Sequence, residues 1–100
     1  MNFAEQLALL PAVDHLAAIE LLDGETVLAR IENKPGQAGS LRVYHALYQE
    51  FGAIDSRAAE KGLRIYAEHT EDARANPGKH PNIDRLIDLS QPLAVRLIAA

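Results

Sequence analysis

The chain has 100 residues, 48% of them hydrophobic and 24% charged, with a formal net charge of −4 and no cysteine or tryptophan. These values fit one soluble domain with a single modest core and disfavour disordered, collagen-like and coiled-coil architectures. Without cysteine there is no thiol catalysis, thiolate zinc site or disulfide, and no uncharged run approaches the roughly 20 apolar residues of a membrane span.

The charge is unevenly spread. Residues 1–29 carry Glu5, Asp14, Glu20, Asp23 and Glu25 and no lysine or arginine, whereas from Arg30 onward ten basic residues face nine acidic ones. A secretory signal needs a basic start, so the expectation is a cytoplasmic protein without a membrane partner. Only local basic clusters exist, such as Arg57, Lys61 and Arg64, and counterion release favours a basic stripe. Nucleic acid is therefore not an expected partner.

In chain order, residues 2–10 predict a short helix, with Asn2 and Glu5 in capping-box spacing, Phe3, Leu7 and Leu10 on one face, and Pro11 as the stop. From Leu16 to Ile31 an aliphatic run broken at Asp23-Gly24 predicts a β-hairpin. A three-residue loop, Leu22-Asp23-Gly24, with a left-handed Gly24 pairs Leu21 with Glu25 and Ile19 with Val27. Ala17, Ile19, Leu21, Val27, Ala29 and Ile31 then share the core face. A two-residue Asp23-Gly24 turn mixes Glu20 into that face, so the bulged loop is preferred. Residues 33–40 form a Pro-Gly-containing loop ending in a helix cap at Ser40, and Tyr44, Leu47, Tyr48 and Phe51 stripe a helix over 41–51 that Gly52 ends.

A third helix is predicted from Asp55 or Ser56 to about Ala75, on the spacing of Ala59, Leu63, Tyr66, Thr70 and Ala73. Gly62 inside it implies close packing or a local break. Asn82 then caps a short helix over 83–89, and Leu93–Ile98 reads as a final strand. The fold class is α+β: one domain, residues 1–100, in which a β-hairpin and a C-terminal strand form a small, mainly antiparallel sheet packed with three or four helices.

Two segments carry a resemblance. The stretch from Asn33-Lys34-Pro35-Gly36 through Ser40-Leu41-Arg42-Val43-Tyr44, together with Ala67 through Leu86, resembles the domain of unknown function 2322, a family of small bacterial proteins. The resemblance implies a free-standing bacterial protein and lends no activity, cofactor or functional residue.

Three sets of residues are candidates for function. Glu68, His69 and Asp72 at helical spacing, with His80 beyond a Pro-Gly turn, could bind a divalent metal through nitrogen and carboxylate oxygen, with a carboxylate as general base in a metal-dependent enzyme. A solvated helix end explains the same residues, and no HExxH motif is present. Lys34, Gly39, Ser40 and Arg42 surround a helix N-terminus suited to a small anionic or phosphorylated ligand, as in a metabolic regulator, although the Walker pattern is absent. Leu16, Leu22 and Leu28 fall on the sheet face opposite the core, where a second copy of the chain could cover them in a homodimer. The stiff loop Asn76–Asn82 could present Lys79 and His80 to a protein partner, or simply connect helices. His15 and His45 stand isolated, and no nucleophile–base pair is evident. Among these readings, a binding protein that self-associates leads, ahead of the metal enzyme and the anion-binding regulator.

Overall fold

The computed structural model describes all residues, 1–100. Its elements are α1 (Phe3–Ala8), β1 (Leu16–Asp23), β2 (Thr26–Glu32), α2 (Ala38–Phe51), α3 (Ser56–Tyr66), α4 (Glu68–Ala75), α5 (Pro81–Ile87) and β3 (Ala94–Ala99). The three strands form an antiparallel sheet of order β2-β1-β3, with the hairpin completed by the final strand on the free side of β1. This is a small α+β domain. It contains five helices rather than three or four, because the long third helix is broken in two.

Helix α2 is the one laid against the sheet: it packs on β1 and β2 and carries α1 and α3 on its other sides, while α5 backs α3 and α4. Ile19, Leu21 and Ile31 from the sheet meet Leu41, Val43, Tyr44 and Leu47 from α2 in the core. On the opposite face of the sheet Glu20 lies between its cross-strand neighbours Arg30 and Arg96. It accepts from Arg96 at 2.7 and 2.9 Å and from Arg30 at 3.3 Å.

The hairpin register differs from expectation. Ile19 pairs with Ile31 and Leu21 with Ala29, rather than with Val27 and Glu25. Gly24 does adopt the left-handed conformation, at φ +60°. However, Asp23 pairs with Thr26, so the turn is Gly24-Glu25, and the register shift falls where Leu21 and Leu22 oppose Ala29 and Val27. The extra residue, Leu28, is thus a bulge inside β2. It realigns the apolar residues beyond it while sending Val27 and Leu28 outward, 44% and 54% exposed. Leu16 and Leu22 are buried within the chain, and Leu16 belongs to the core. The trio Leu16, Leu22 and Leu28 therefore presents no common exposed face; Leu28 alone is exposed.

Two caps also move. Helix α2 begins at Ala38, one turn before the expected start, which puts Ser40 inside it; its N-cap is Gln37. Pro81 opens α5 behind His80, which puts Asn82 inside that helix. Gly52 ends α2 at φ +77° and Asp55 caps α3 through the Ala58 N–H, both as expected. At Gly62 the close-packing alternative holds: a Cβ there would lie 2.7 Å from Leu86 and 2.9 Å from Leu47.

Candidate functional site

The break between α3 and α4 sets the geometry of the site. Ala67 has φ +51° and ψ −117°, the single non-glycine residue of positive φ in the chain. Its N–H turns to the Arg64 carbonyl (3.2 Å). The Leu63 carbonyl accepts instead from the buried Thr70 hydroxyl (2.6 Å), which ties the two helices across the break. Glu68, first in α4, accepts from the Phe3 N–H (2.8 Å) and so fastens α1 to α4. The N–H donors of Glu68 itself and of Phe3 hold its carboxyl below the usual range.

This bend brings His69 against Phe3, edge to face with ring centroids 5.1 Å apart; Phe3 in turn stacks on Tyr66 at 5.3 Å. The Tyr66 hydroxyl, at the buried end of its ring, donates to Ser40 Oγ (2.7 Å). Burial is the main reason its pKa is raised well above the usual phenol value.

The loop from Asn76 to His80 folds back over α4 around one carboxylate. Asp72 accepts from Asn76 Nδ2 (3.0 Å), Lys79 Nζ (2.9 Å) and His80 Nε2 (2.6 Å). Chiefly through the His80 and Lys79 hydrogen bonds, its pKa falls to about 2. The turn itself is closed by Gly78, at φ +92°, whose N–H donates to Asp84 (2.9 Å). His80 thereby faces His69 with ring centroids 5.8 Å apart.

The N-terminus of α2 lines the same pocket as these imidazoles. A helix start leaves N–H groups without intrahelical acceptors, and a side chain at the N-cap normally takes one of them. Here the Gln37 side chain accepts from Glu32 N–H instead (3.0 Å) and caps nothing. The Gly39 and Ser40 N–H groups have no acceptor in the chain. Phe3, Gly39, Ser40, His69, Lys79 and His80 together line a pocket of about 350 Å³. The wall thus combines free backbone donors at the positive end of a helix, an ammonium, two imidazoles and an aromatic face.

The model of a family described as "Uncharacterized protein conserved in bacteria (DUF2322)" matches residues 3–98. The chain belongs to this family. No curated protein and no solved structure matches it. The family description assigns no activity, so the pocket of this DUF2322 protein has to be read from its chemistry.

Two sets of candidate residues, predicted as separate sites some 30 residues apart, contribute to this one pocket: Gly39 and Ser40 from the anion set, His69 and His80 from the metal set. The other members turn elsewhere. Arg42 donates to the Leu10 and Pro11 carbonyls (2.6 and 3.1 Å), anchoring the segment after α1, and Lys34 pairs with Glu32 (2.9 Å). Glu68, His69, Asp72 and His80 do not converge: no three His, Asp or Glu side chains are placed to hold a metal ion. The reason is that Glu68 is committed to Phe3 and Asp72 to the returning loop. Sequence reasoning misses Phe3 and Tyr66, whose helical spacing reads as core, and reads Lys79 only as part of a stiff loop.

His45, on the far side of α2, is 2% exposed. Its ring meets that of His15 at 5.4 Å, and its Nδ1 is the one buried side-chain polar atom without a partner. Burial, then the neighbouring His15, lowers its pKa.

Proposed function

We propose that this DUF2322 protein is a small binding protein of the bacterial cytoplasm whose pocket takes a small anionic, phosphorylated ligand. The observation that carries the reading is the pair of N–H donors without an acceptor at Gly39 and Ser40, residues that line a pocket together with Lys79, His69 and His80. Paired N–H groups at a helix start are matched to phosphate oxygens by geometry and by the helix dipole. The Phe3 ring offers an apolar wall for the remainder of the ligand. Titrating ¹⁵N-labelled protein with inorganic phosphate tests this. The Gly39 and Ser40 amide resonances are expected to move together and saturably, and Lys79→Ala is expected to weaken binding several-fold. Amides that stay in place at millimolar phosphate refute it.

Self-association is a second reading, favoured by the sheet. The outer edges of β2 and β3 have no strand beside them, and Val27, Leu28 and Leu97 on these strands are exposed. Unprotected edges of this kind pair with further strands. A second copy is the expected partner, and light scattering at micromolar concentration that returns only the 10.9 kDa monomer rejects it.

A further inference from the structure

The free edge of β3 is defined from both of its ends. At one end the Ala100 N–H donates to the His15 carbonyl (3.0 Å), so Ala100 turns its backbone groups toward the β1 side. Successive residues of a strand turn these groups to alternate sides. Ala94, Arg96 and Ile98 therefore bond toward β1, their partners being Leu22, Glu20 and Ala18, and Val95, Leu97 and Ala99 turn away from it. At the other end Leu93 exchanges both of its bonds with Ile54 (2.9 Å each), on the outer side that the same alternation assigns to it. Past Leu93 no strand lies along this edge. The outward N–H and C=O groups of Val95, Leu97 and Ala99 are left bare.

The strand reads Ala-Val-Arg-Leu-Ile-Ala, six residues without proline or glycine and with one charge. Such a segment is prone to pair. Leu97 is placed opposite Ile19, on the helix side of the sheet, yet is 38% exposed because α2 lies over β1 and β2. The other edge of the sheet is blunted. There β2 is bulged at Leu28 and carries Arg30 and Glu32, so an incoming strand finds no even ladder to follow.

The bare residues are symmetric about Leu97. A second β3 laid antiparallel along this edge, about a twofold axis at Leu97, sets Leu97 against the partner's Leu97 and Val95 against the partner's Ala99. Every bare donor and acceptor then has a counterpart. Arg96 meets the partner's Ile98 rather than a second arginine, and its charge is already met by Glu20 of its own chain at 2.7 and 2.9 Å. An axis at Arg96 would oppose two arginines and set Ala99 against the partner's Leu93, whose bonds Ile54 already takes.

We infer that the chain forms a closed twofold dimer through β3, joining two three-stranded sheets into one antiparallel sheet of order β2-β1-β3-β3-β1-β2. This rests on the self-association reading above and adds the edge, the register and the closure. Pairing of β3 with the partner's β2 instead would leave one edge open on each end and run on into a filament. The Leu28 bulge opposes that arrangement.

The test uses the full chain, which has no cysteine, so Leu97→Cys introduces a single thiol. Directly opposed residues that exchange both bonds have Cα atoms about 5.5 Å apart, within disulfide reach. Mild oxidation is expected to link Leu97→Cys chains in pairs and to leave Leu28→Cys chains unlinked. In sedimentation at micromolar concentration the wild type is expected at twice 10.9 kDa. Leu97→Lys, which opposes two ammonium groups at the axis, is expected to raise the dissociation constant at least about tenfold, and Leu28→Lys to change it less than about twofold. Wild type that sediments only as monomer overturns this inference together with the self-association reading. A dimer that survives Leu97→Lys, or that Leu28→Lys dissociates, overturns the β3 interface and leaves self-association standing. Assembly past the dimer overturns the closed twofold. Should Leu97→Lys unfold, as circular dichroism would show, Leu97→Cys decides: chains that dimerise but do not link overturn the register.

Discussion

Replacing Ala67 with glycine is expected to stabilise the protein. At φ +51°, ψ −117° a Cβ is crowded by its own backbone, and residues held in such regions cost about 1–3 kcal/mol. Glycine removes that cost but gives the unfolded chain more freedom, worth about 0.4–1 kcal/mol in the other direction. The net gain is about 1 kcal/mol, which for a domain of this length raises Tm by about 4–8 °C. Urea unfolding followed by circular dichroism should show a higher midpoint at unchanged slope, the mark of altered stability rather than altered compactness. Ala67→Val should move the midpoint the other way, since a β-branched side chain fits that backbone less well still. A glycine variant with an equal or lower midpoint refutes the account, because the turn between α3 and α4 then stores no strain. The site should survive the change: Thr70 to Leu63 and Glu68 to Phe3 still fasten α4 in place.

Three further outcomes follow from named contacts. Gly62→Ala should lower stability by about 1 kcal/mol in thermal melts, since overpacking against the buried Leu86 and Leu47 (about 1–3 kcal/mol) exceeds the helix-propensity gain of about 1 kcal/mol. Arg42→Ala should cost about 1–3 kcal/mol by freeing the Leu10 and Pro11 carbonyls, yet change phosphate affinity less than about twofold; a larger loss of affinity places Arg42 in the ligand site after all. His45→Leu removes a buried nitrogen without a partner and should gain about 1 kcal/mol at neutral pH. Because the folded-state pKa of His45 is depressed, the unfolded chain binds the proton more readily, so wild-type stability is full above about pH 6.5 and declines as pH falls below it. Urea midpoints at neutral and mildly acid pH should therefore drop less in the leucine variant.

Local chemistry made most elements legible. Asn2 and Glu5 form the capping box that starts α1, Gly52 ends α2 and Asp55 starts α3. Two features escaped for the same reason: each departs from regular structure yet preserves the apolar pattern on either side. The Leu28 bulge lets Ile19 and Leu21 meet Ile31 and Ala29 while Val27 leaves the core face, so alternation alone chose the wrong partners. Across Ala67, Thr70 and Ala73 stay buried as a continuous helix would place them, because the Thr70 hydroxyl stands in for the missing backbone donor. Periodicity reports which side chains are buried; here it was silent about a bend that left them so.

The candidate site was legible in its parts and not in its assembly. Charged side chains looked like ligand groups because their reach is long, and that same reach lets Arg42, Glu68 and Asp72 fasten α1 and the 76–80 loop to the helices. Beside Lys79, what lines the pocket are shorter or more rigid groups: the Gly39 and Ser40 residues of the first turn of α2, and imidazoles fixed by neighbours. The clue to the free donors lies in residue type at the helix start. Gln37 occupies the N-cap where serine, threonine, asparagine or aspartate would close the first turn onto itself. Had Ser40 been the cap, as its position after Gly39 suggested, its hydroxyl would have satisfied a helix N–H. As a first-turn residue it instead accepts from Tyr66, and the Gly39 and Ser40 N–H groups stay without an acceptor in the chain.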